Sequence, residues 1–249
     1  MKLSVCIDAV YNGEPVAKAL HEIKEIGYSS FEFWSWWDKD LEVLQKVKEE
    51  LEMTLVAFCT KFVSLVDPVQ RDVYLKGLEE SISVARRLGC KQLITQVGND
   101  TGMDRSFQHQ SLVEGLKACV PLLEASGITL LVEPLNTRAD HKGYYLDSSD
   151  EAFAIIDEVG SKHVKVLFDI YHQQIMEGDM IRRITGNIEK IGHLHAAGTP
   201  GRSELYNGEL NYNAIFKAID EKGFNGYIGL EYFPLEKAIK GLRDIQLVQ

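Results

Sequence analysis

Four residues of this 249-residue chain could do chemistry together: Glu133, Asp169, His195 and Glu231. Each stands at or just after the end of a short apolar run: residues 128–132 before Glu133, 164–168 before Asp169, 192–194 before His195 and 227–230 before Glu231. They lie 36, 26 and 36 residues apart, each step about one strand-plus-helix unit. Residues so spaced are expected at the same height on neighbouring strands, where three carboxylates and an imidazole converge on one point. Unscreened carboxylates at one point repel, so the arrangement calls for a cation. Oxygen-rich ligation with one nitrogen suits a single divalent metal ion, Mn²⁺ or Mg²⁺, with Co²⁺ or Zn²⁺ as further fits. Taken singly, a carboxylate after a strand also reads as a helix N-cap or a loop charge. Four in register on consecutive strands are poorly explained that way.

Other polar and aromatic residues cluster nearby in sequence. His172, three residues beyond Asp169, either contacts a substrate oxygen or is a loop histidine satisfied by the backbone. His193 points to the same side of its strand as His195 and reads as a deeper histidine supporting a ligand. Arg202 either clamps a carboxylate or hydroxyl or is a solvated loop charge. Asn136 and Arg138 closely follow Glu133, and Asn136 joins the substrate-binding candidates. Glu32 ends another apolar run and either orients a metal ligand or is a polar group of the core. Trp34 is a candidate wall of a substrate pocket, with Trp36, Trp37, Tyr11, Phe62 and Tyr232 as further rim aromatics. Lys61 alone says nothing.

These residues need a scaffold that brings strand ends together. Strand-like runs are read at residues 3–9, 30–34, 55–59, 92–96, 129–133, 164–169, 192–196 and 227–231, several apolar on both faces. Between them lie amphipathic segments at 15–26, 41–51, 70–88, 111–125, 148–159, 181–190, 212–222 and 235–248. Helix punctuation recurs: Pro15 at a start, the Ser148-Ser149-Asp150-Glu151 cluster as a cap, and Gly27, Gly89 and Gly160 at ends. Eight successive units predict a (β/α)₈ TIM barrel as one domain over residues 1–249, with its active site at the C-terminal strand ends. An open doubly wound sheet is disfavoured, because the turn after the first strand, Val10-Tyr11-Asn12-Gly13-Glu14, has no GxGxxG.

Composition fits such a domain, with 45% hydrophobic and 26% charged residues. The 27 basic and 37 acidic residues give a net charge of −10, which disfavours nucleic-acid partners. The four cysteines, Cys6, Cys59, Cys90 and Cys119, form no CxxC and no zinc spacing. Cys6 and Cys59 read as buried small hydrophobes. The N-terminal apolar run is interrupted by Asp8 and reads as a strand rather than a signal peptide. No run reaches the roughly 18 residues of a membrane span, and a cytoplasmic protein is expected.

Several tracts carry a family resemblance: Val132-Glu133-Pro134-Leu135-Asn136-Thr137-Arg138, Phe168-Asp169-Ile170-Tyr171-His172, Pro200-Gly201-Arg202, Gly208-Glu209-Leu210-Asn211-Tyr212 and Gly229-Leu230-Glu231-Tyr232. Together they resemble the hydroxypyruvate isomerase family, xylose-isomerase-like TIM barrels related to the ketose 3-epimerases. The resemblance spans nearly the whole chain and is strongest over residues 130–234. It implies that Glu133, Asp169, His195 and Glu231 bind the metal, that Glu133 and Glu231 are the acid/base pair, and that His172 and Arg202 contact substrate. Two departures stand out. Such isomerases commonly carry Gln at the position of His195, where the 3-epimerases carry His. The tract Ala196-Ala197-Gly198-Thr199 replaces the usual Ile-Ala-Asp-Asn.

The expected reaction is enediolate proton transfer in a small sugar or hydroxy-keto acid. Delivery of the proton to the adjacent carbon gives isomerisation, with hydroxypyruvate yielding tartronate semialdehyde. Delivery to the opposite face of the same carbon gives epimerisation of a tagatose- or psicose-type ketose. An endonuclease of the same fold and a non-catalytic sugar-binding barrel are remoter alternatives. A homo-oligomer is compatible with such barrels.

Overall fold

Apolar runs alternating with amphipathic segments can bury both faces of every strand only if helices cover the outside of a parallel sheet. The computed structural model, which describes residues 1–246, has this arrangement. The strands are β1 (Lys2–Cys6), β2 (Ser30–Phe33), β3 (Thr54–Cys59), β4 (Gln92–Thr95), β5 (Thr129–Val132), β6 (Val164–Asp169), β7 (Ile191–Ala196) and β8 (Tyr227–Leu230). They close in chain order into a parallel barrel, with β8 pairing back onto β1. The helices are α1 (Ile7–Val10), α2 (Val16–Glu25), α3 (Leu41–Glu50), α4 (Arg71–Leu88), α5 (Arg105–Ser126), α6 (Ser149–Val159), α7 (Ile170–Met176), α8 (Met180–Gly186), α9 (Tyr212–Glu221) and α10 (Ala238–Gln246).

The expected TIM barrel is therefore present, with local corrections. The first strand stops at Cys6, not at residue 9, because the apolar run continues into the single turn α1, whose Ile7, Ala9 and Val10 are also buried. A continuous apolar run cannot separate a strand from a helical turn. Helix α5 starts six residues before the expected residue 111, where the Asp104 carboxylate accepts from the Ser106 N–H. The expected helix at 181–190 ends at Gly186, and residues 188–190 form a 3₁₀ turn. Of the last expected helix, residues 238–246 are helical, and residues 247 and 248 lie outside the described residues.

Register explains how spacing in sequence becomes convergence in space. Asp169 pairs directly with His195, but Val132 pairs with Val166 and His195 with Gly229. Glu133 and Asp169 are thus offset by two residues, as are His195 and Glu231, so the expectation of equal register holds for one step of three. Strands of a barrel tilt, and the tilt converts a stagger along the strands into common height. An offset of two also preserves the inward direction, since side chains alternate with period two.

Two residues below the site, Leu131 and Leu167 join Val56, Ala57, Cys59 and Ile94 in a buried apolar cluster that fills part of the barrel. All four cysteines are free and buried, and burial pushes the Cys6 and Cys59 thiols well above the usual thiol range. They are packing groups, as expected. Among the described residues no helix is long and apolar enough to cross a membrane.

Candidate active site

At the C-terminal rim the barrel carries a cavity of about 180 Å³. Glu133, His172, His195, Arg202 and Glu231 line it, with Trp34 and Phe62 among the apolar walls. Glu133, Asp169 and Glu231 are all buried, and one carboxylate oxygen from each, with one ring nitrogen of His172, lies within a 4.8 Å cluster. His195 adds its Nδ1, 3.4 Å from Glu231 Oε2 and 3.7 Å from Glu133 Oε1. The structure thus brings the four expected ligands together and places His172 beside them.

Hydrogen-bond accounting separates the roles of the two imidazoles. The side-chain oxygen of Asn136 accepts the N–H groups of Ala139 and Asp140, both at 3.0 Å, which leaves its amide nitrogen 2.6 Å from His172 Nδ1. The Asn136 backbone N–H also donates to that Nδ1, at 3.3 Å. His172 Nδ1 is therefore an acceptor, and its proton sits on Nε2, 3.4 Å from Asp169 Oδ2 and without an in-line partner. Burial, then the positive charge of Arg202, holds this ring well below the usual histidine range. A neutral Nε2–H is a donor, not a metal ligand. His195 differs: its Nε2 faces the Glu32 carboxylate at 2.7 Å and its Nδ1 faces the two glutamates. Its Nδ1 is the ring nitrogen aimed at the carboxylate cluster. Burial alone would disfavour its cationic form, but Glu231 and Glu32 outweigh that and raise its pKa.

The remaining groups hold the carboxylates in place. Asp169 is both strand end and helix cap, since its Oδ1 accepts the Tyr171 N–H at 2.8 Å while its Oδ2 faces the site. Burial, then the charge of Glu231, pushes its carboxyl up to about 7. Glu231 accepts from the Trp34 indole N–H at 2.5 Å and from the Arg202 guanidinium. Against the penalty of burial, His195 and Arg202 keep it well below the usual carboxylate range. Tyr144 donates its hydroxyl to the Glu133 carbonyl at 3.0 Å and accepts the Val97 N–H at 2.7 Å, which ties the end of β5 to β4.

Arg202 reaches the site from a loop with a left-handed backbone, φ 49°. Its guanidinium lies over the rings of Tyr171 and Phe233, 5.1 and 5.8 Å from their centres. A Cβ on Gly208 (φ 140°) would stand 2.2 Å from the Thr199 carbonyl oxygen, so only glycine lets the two sides of this loop meet. Tyr212 then anchors the loop, donating its hydroxyl to the Ala197 carbonyl at 2.7 Å.

The structure corrects several expectations. Asn136 is fully buried and engaged by protein groups, so it supports His172 rather than lining the cavity. Tyr11 and Tyr232 are buried away from the cavity, and Trp36 donates its indole N–H to Ser81. Arg138 bonds the Ile175 carbonyl. Lys61 pairs with Glu80. Phe62 does line the cavity, as does Trp34. Sequence reasoning missed Tyr144, Gln96 and His141, the last two being cavity residues, because nothing in their local pattern marks them as facing inward.

The donor set fits a divalent cation. Three buried carboxylates would otherwise share one point, and the buried Nδ1 of His195 has no aligned hydrogen-bond partner among the described residues. Gly229 is part of this fit. A Cβ there would stand 2.1 Å from Glu32 Oε1 and 2.7 Å from His195 Cδ2. Gly229→Ala is expected to cost about 1–3 kcal/mol in stability, as overpacking does, and to weaken metal binding. Chemical denaturation with metal titration checks both, and an unchanged variant would show that the two side chains have room to spare.

The Xylose isomerase-like TIM barrel family model matches residues 20–245. The hydroxypyruvate isomerase of Escherichia coli (strain K12) is 34% identical over 229 residues, 88% of each chain. A 2-oxo-tetronate isomerase of Cupriavidus necator is 42% identical over 139 residues, 56% of this chain and 53% of its own. A solved structure described as an AP endonuclease, family 2, from Brucella melitensis superposes with a TM-score of 0.94 at 28% identity, covering 99% of this chain and 98% of that one. With eight parallel strands closed around this carboxylate and histidine cluster, the chain belongs to the xylose isomerase-like TIM barrel family.

Proposed function

We propose that the protein is a divalent-metal-dependent isomerase of a small hydroxy-carbonyl compound, converting hydroxypyruvate to tartronate semialdehyde. The observation that carries this reading is the approach of both Glu133 and Glu231 to the His195 Nδ1, at 3.7 and 3.4 Å, in the lining of a small cavity. Glu133, Asp169, His195 and Glu231 would hold the cation, Mn²⁺ or Mg²⁺, which when bound supplies stabilisation for negative charge developing on the substrate's oxygens. One glutamate takes a proton from C3 of hydroxypyruvate and the other returns one to C2, while the C3 hydroxyl proton passes to the C2 oxygen, leaving an aldehyde at C3 and a hydroxyl at C2. The neutral His172 Nε2–H is poised to donate to a substrate oxygen. Arg202, whose Nε–H has no partner among the described residues, is suited to the substrate carboxylate. Trp34 and Phe62 wall the cavity and limit water.

Support for this reading also comes from the named isomerase relatives. Epimerisation of a ketose would use the same pair of glutamates, and the imidazole at position 195 favours it over the amide usual in the isomerases. The net charge of −10 supports a small-molecule substrate over nucleic acid. Four buried free thiols fit a reducing, cytoplasmic setting. Protein stripped of metal by a chelator should lose conversion of hydroxypyruvate and regain it with Mn²⁺ or Mg²⁺. Full activity in the stripped protein would contradict the proposal.

A further inference from the structure

The layer beneath the site is divided. On β3 to β6 it is apolar, through Ala57, Ile94, Leu131 and Leu167. On β7, β8, β1 and β2 it holds His193, Gly229, Ser4 and Glu32, and the three side chains there are at most 1% exposed. A carboxylate is costly in such a place unless every oxygen is used. Glu32 Oε2 accepts from the Ser4 hydroxyl at 2.6 Å and faces His193 Nε2 at 2.9 Å. Glu32 Oε1 lies 2.7 Å from His195 Nε2, off the axis of an ideal hydrogen bond. Neither of these two atoms has an aligned partner elsewhere among the described residues, so each is the group available to satisfy the other. Gly229 leaves the space through which the carboxylate reaches the ring.

We propose that Glu32, held by Ser4 and His193, is a positioning residue that fixes His195 as the Nε2–H tautomer and turns its Nδ1 lone pair toward Glu133 and Glu231. An imidazole that ligates through one nitrogen carries its proton on the other, and the acceptor of that proton sets both tautomer and ring angle. Glu32 therefore acts through His195, without touching substrate. The inference rests on the reading of the site as a metal centre.

The test is Mn²⁺ binding to four folded proteins: the unmutated chain, Glu32→Gln, His195→Gln and the double variant. Glu32→Gln should weaken Mn²⁺ about 10- to 100-fold. In the His195→Gln background, where an amide oxygen can still ligate, the same change should have little further effect, because the ring it positions is gone. Equal weakening in both backgrounds would reduce Glu32 to a structural role, and no weakening in either would overturn the proposal. If Glu32→Gln fails to fold, nitrogen NMR of the histidine rings in the unmutated, Zn²⁺-loaded protein decides. A proton on His195 Nε2 supports the inference, and a proton on Nδ1 overturns it. No Mn²⁺ or Zn²⁺ uptake by the unmutated protein would instead refute the metal-centre reading, and this inference with it.

Discussion

Replacing Glu231 or Glu133 by glutamine is expected to lower kcat about 10³-fold, measured at saturating Mn²⁺ so that weaker metal binding does not limit the rate. Glutamine keeps the volume of the side chain, and at position 231 its oxygen can still accept from the Trp34 indole, which now donates to Glu231 Oε1 at 2.5 Å. What it loses is the capacity to carry a proton, and general acid–base groups contribute roughly 10²- to 10⁴-fold. Glu231→Gln has a second consequence. The buried Arg202 guanidinium faces that carboxylate, so the variant leaves a buried cation short of its counter-charge. Its stability should therefore fall more than that of Glu133→Gln, where no arginine contact is lost. A kcat within tenfold of the unmutated protein for either variant would remove that glutamate from the mechanism.

Arg202→Met should lower kcat/KM for hydroxypyruvate by roughly 30-fold to several thousand-fold, the equivalent of about 2–5 kcal/mol for breaking a buried charge pair. The guanidinium has two tasks here. It holds Glu231, and it stands 3.9 Å from Asp169 Oδ2 over the ring of Tyr171, where a substrate carboxylate can reach it. A neutral ketose tests the division between them, since it loses only the first. Arg202→Lys restores the charge without the planar fork and should recover only part of the activity. An equal loss for anionic and neutral substrates would assign Arg202 to Glu231 alone.

Which of these features the sequence displays depends on how local their causes are. The four candidate ligands were legible because an apolar strand that ends in a charged residue is a local pattern, and its repetition at unit spacing is a barrel pattern. The offset of two residues at two of the three steps was not, since it arises from strand tilt, a property of the closed sheet. Helix α7 was hidden because Asp169 ends the strand and caps the helix at once, leaving no loop to read. The role of Asn136 followed the same logic. Its neighbourhood to Glu133 suggested the cavity, but its partner is His172, 36 residues away. Glu32 and His193 are 161 residues apart, and only the closure of β8 onto β1 brings them together.

Proton transfer between carbons of a small carbonyl substrate is read out by a proton NMR time course in D₂O. Protein carrying Mg²⁺, or Mn²⁺ followed by dilution to limit broadening, is incubated with hydroxypyruvate and in parallel with a panel of ketoses. Hydroxypyruvate is expected to convert to tartronate semialdehyde. Deuterium at C3 of a ketose, with a new epimer, would keep the two-glutamate chemistry and change the product. Absence of both conversion and exchange with every member of the panel would contradict the two-glutamate proton transfer.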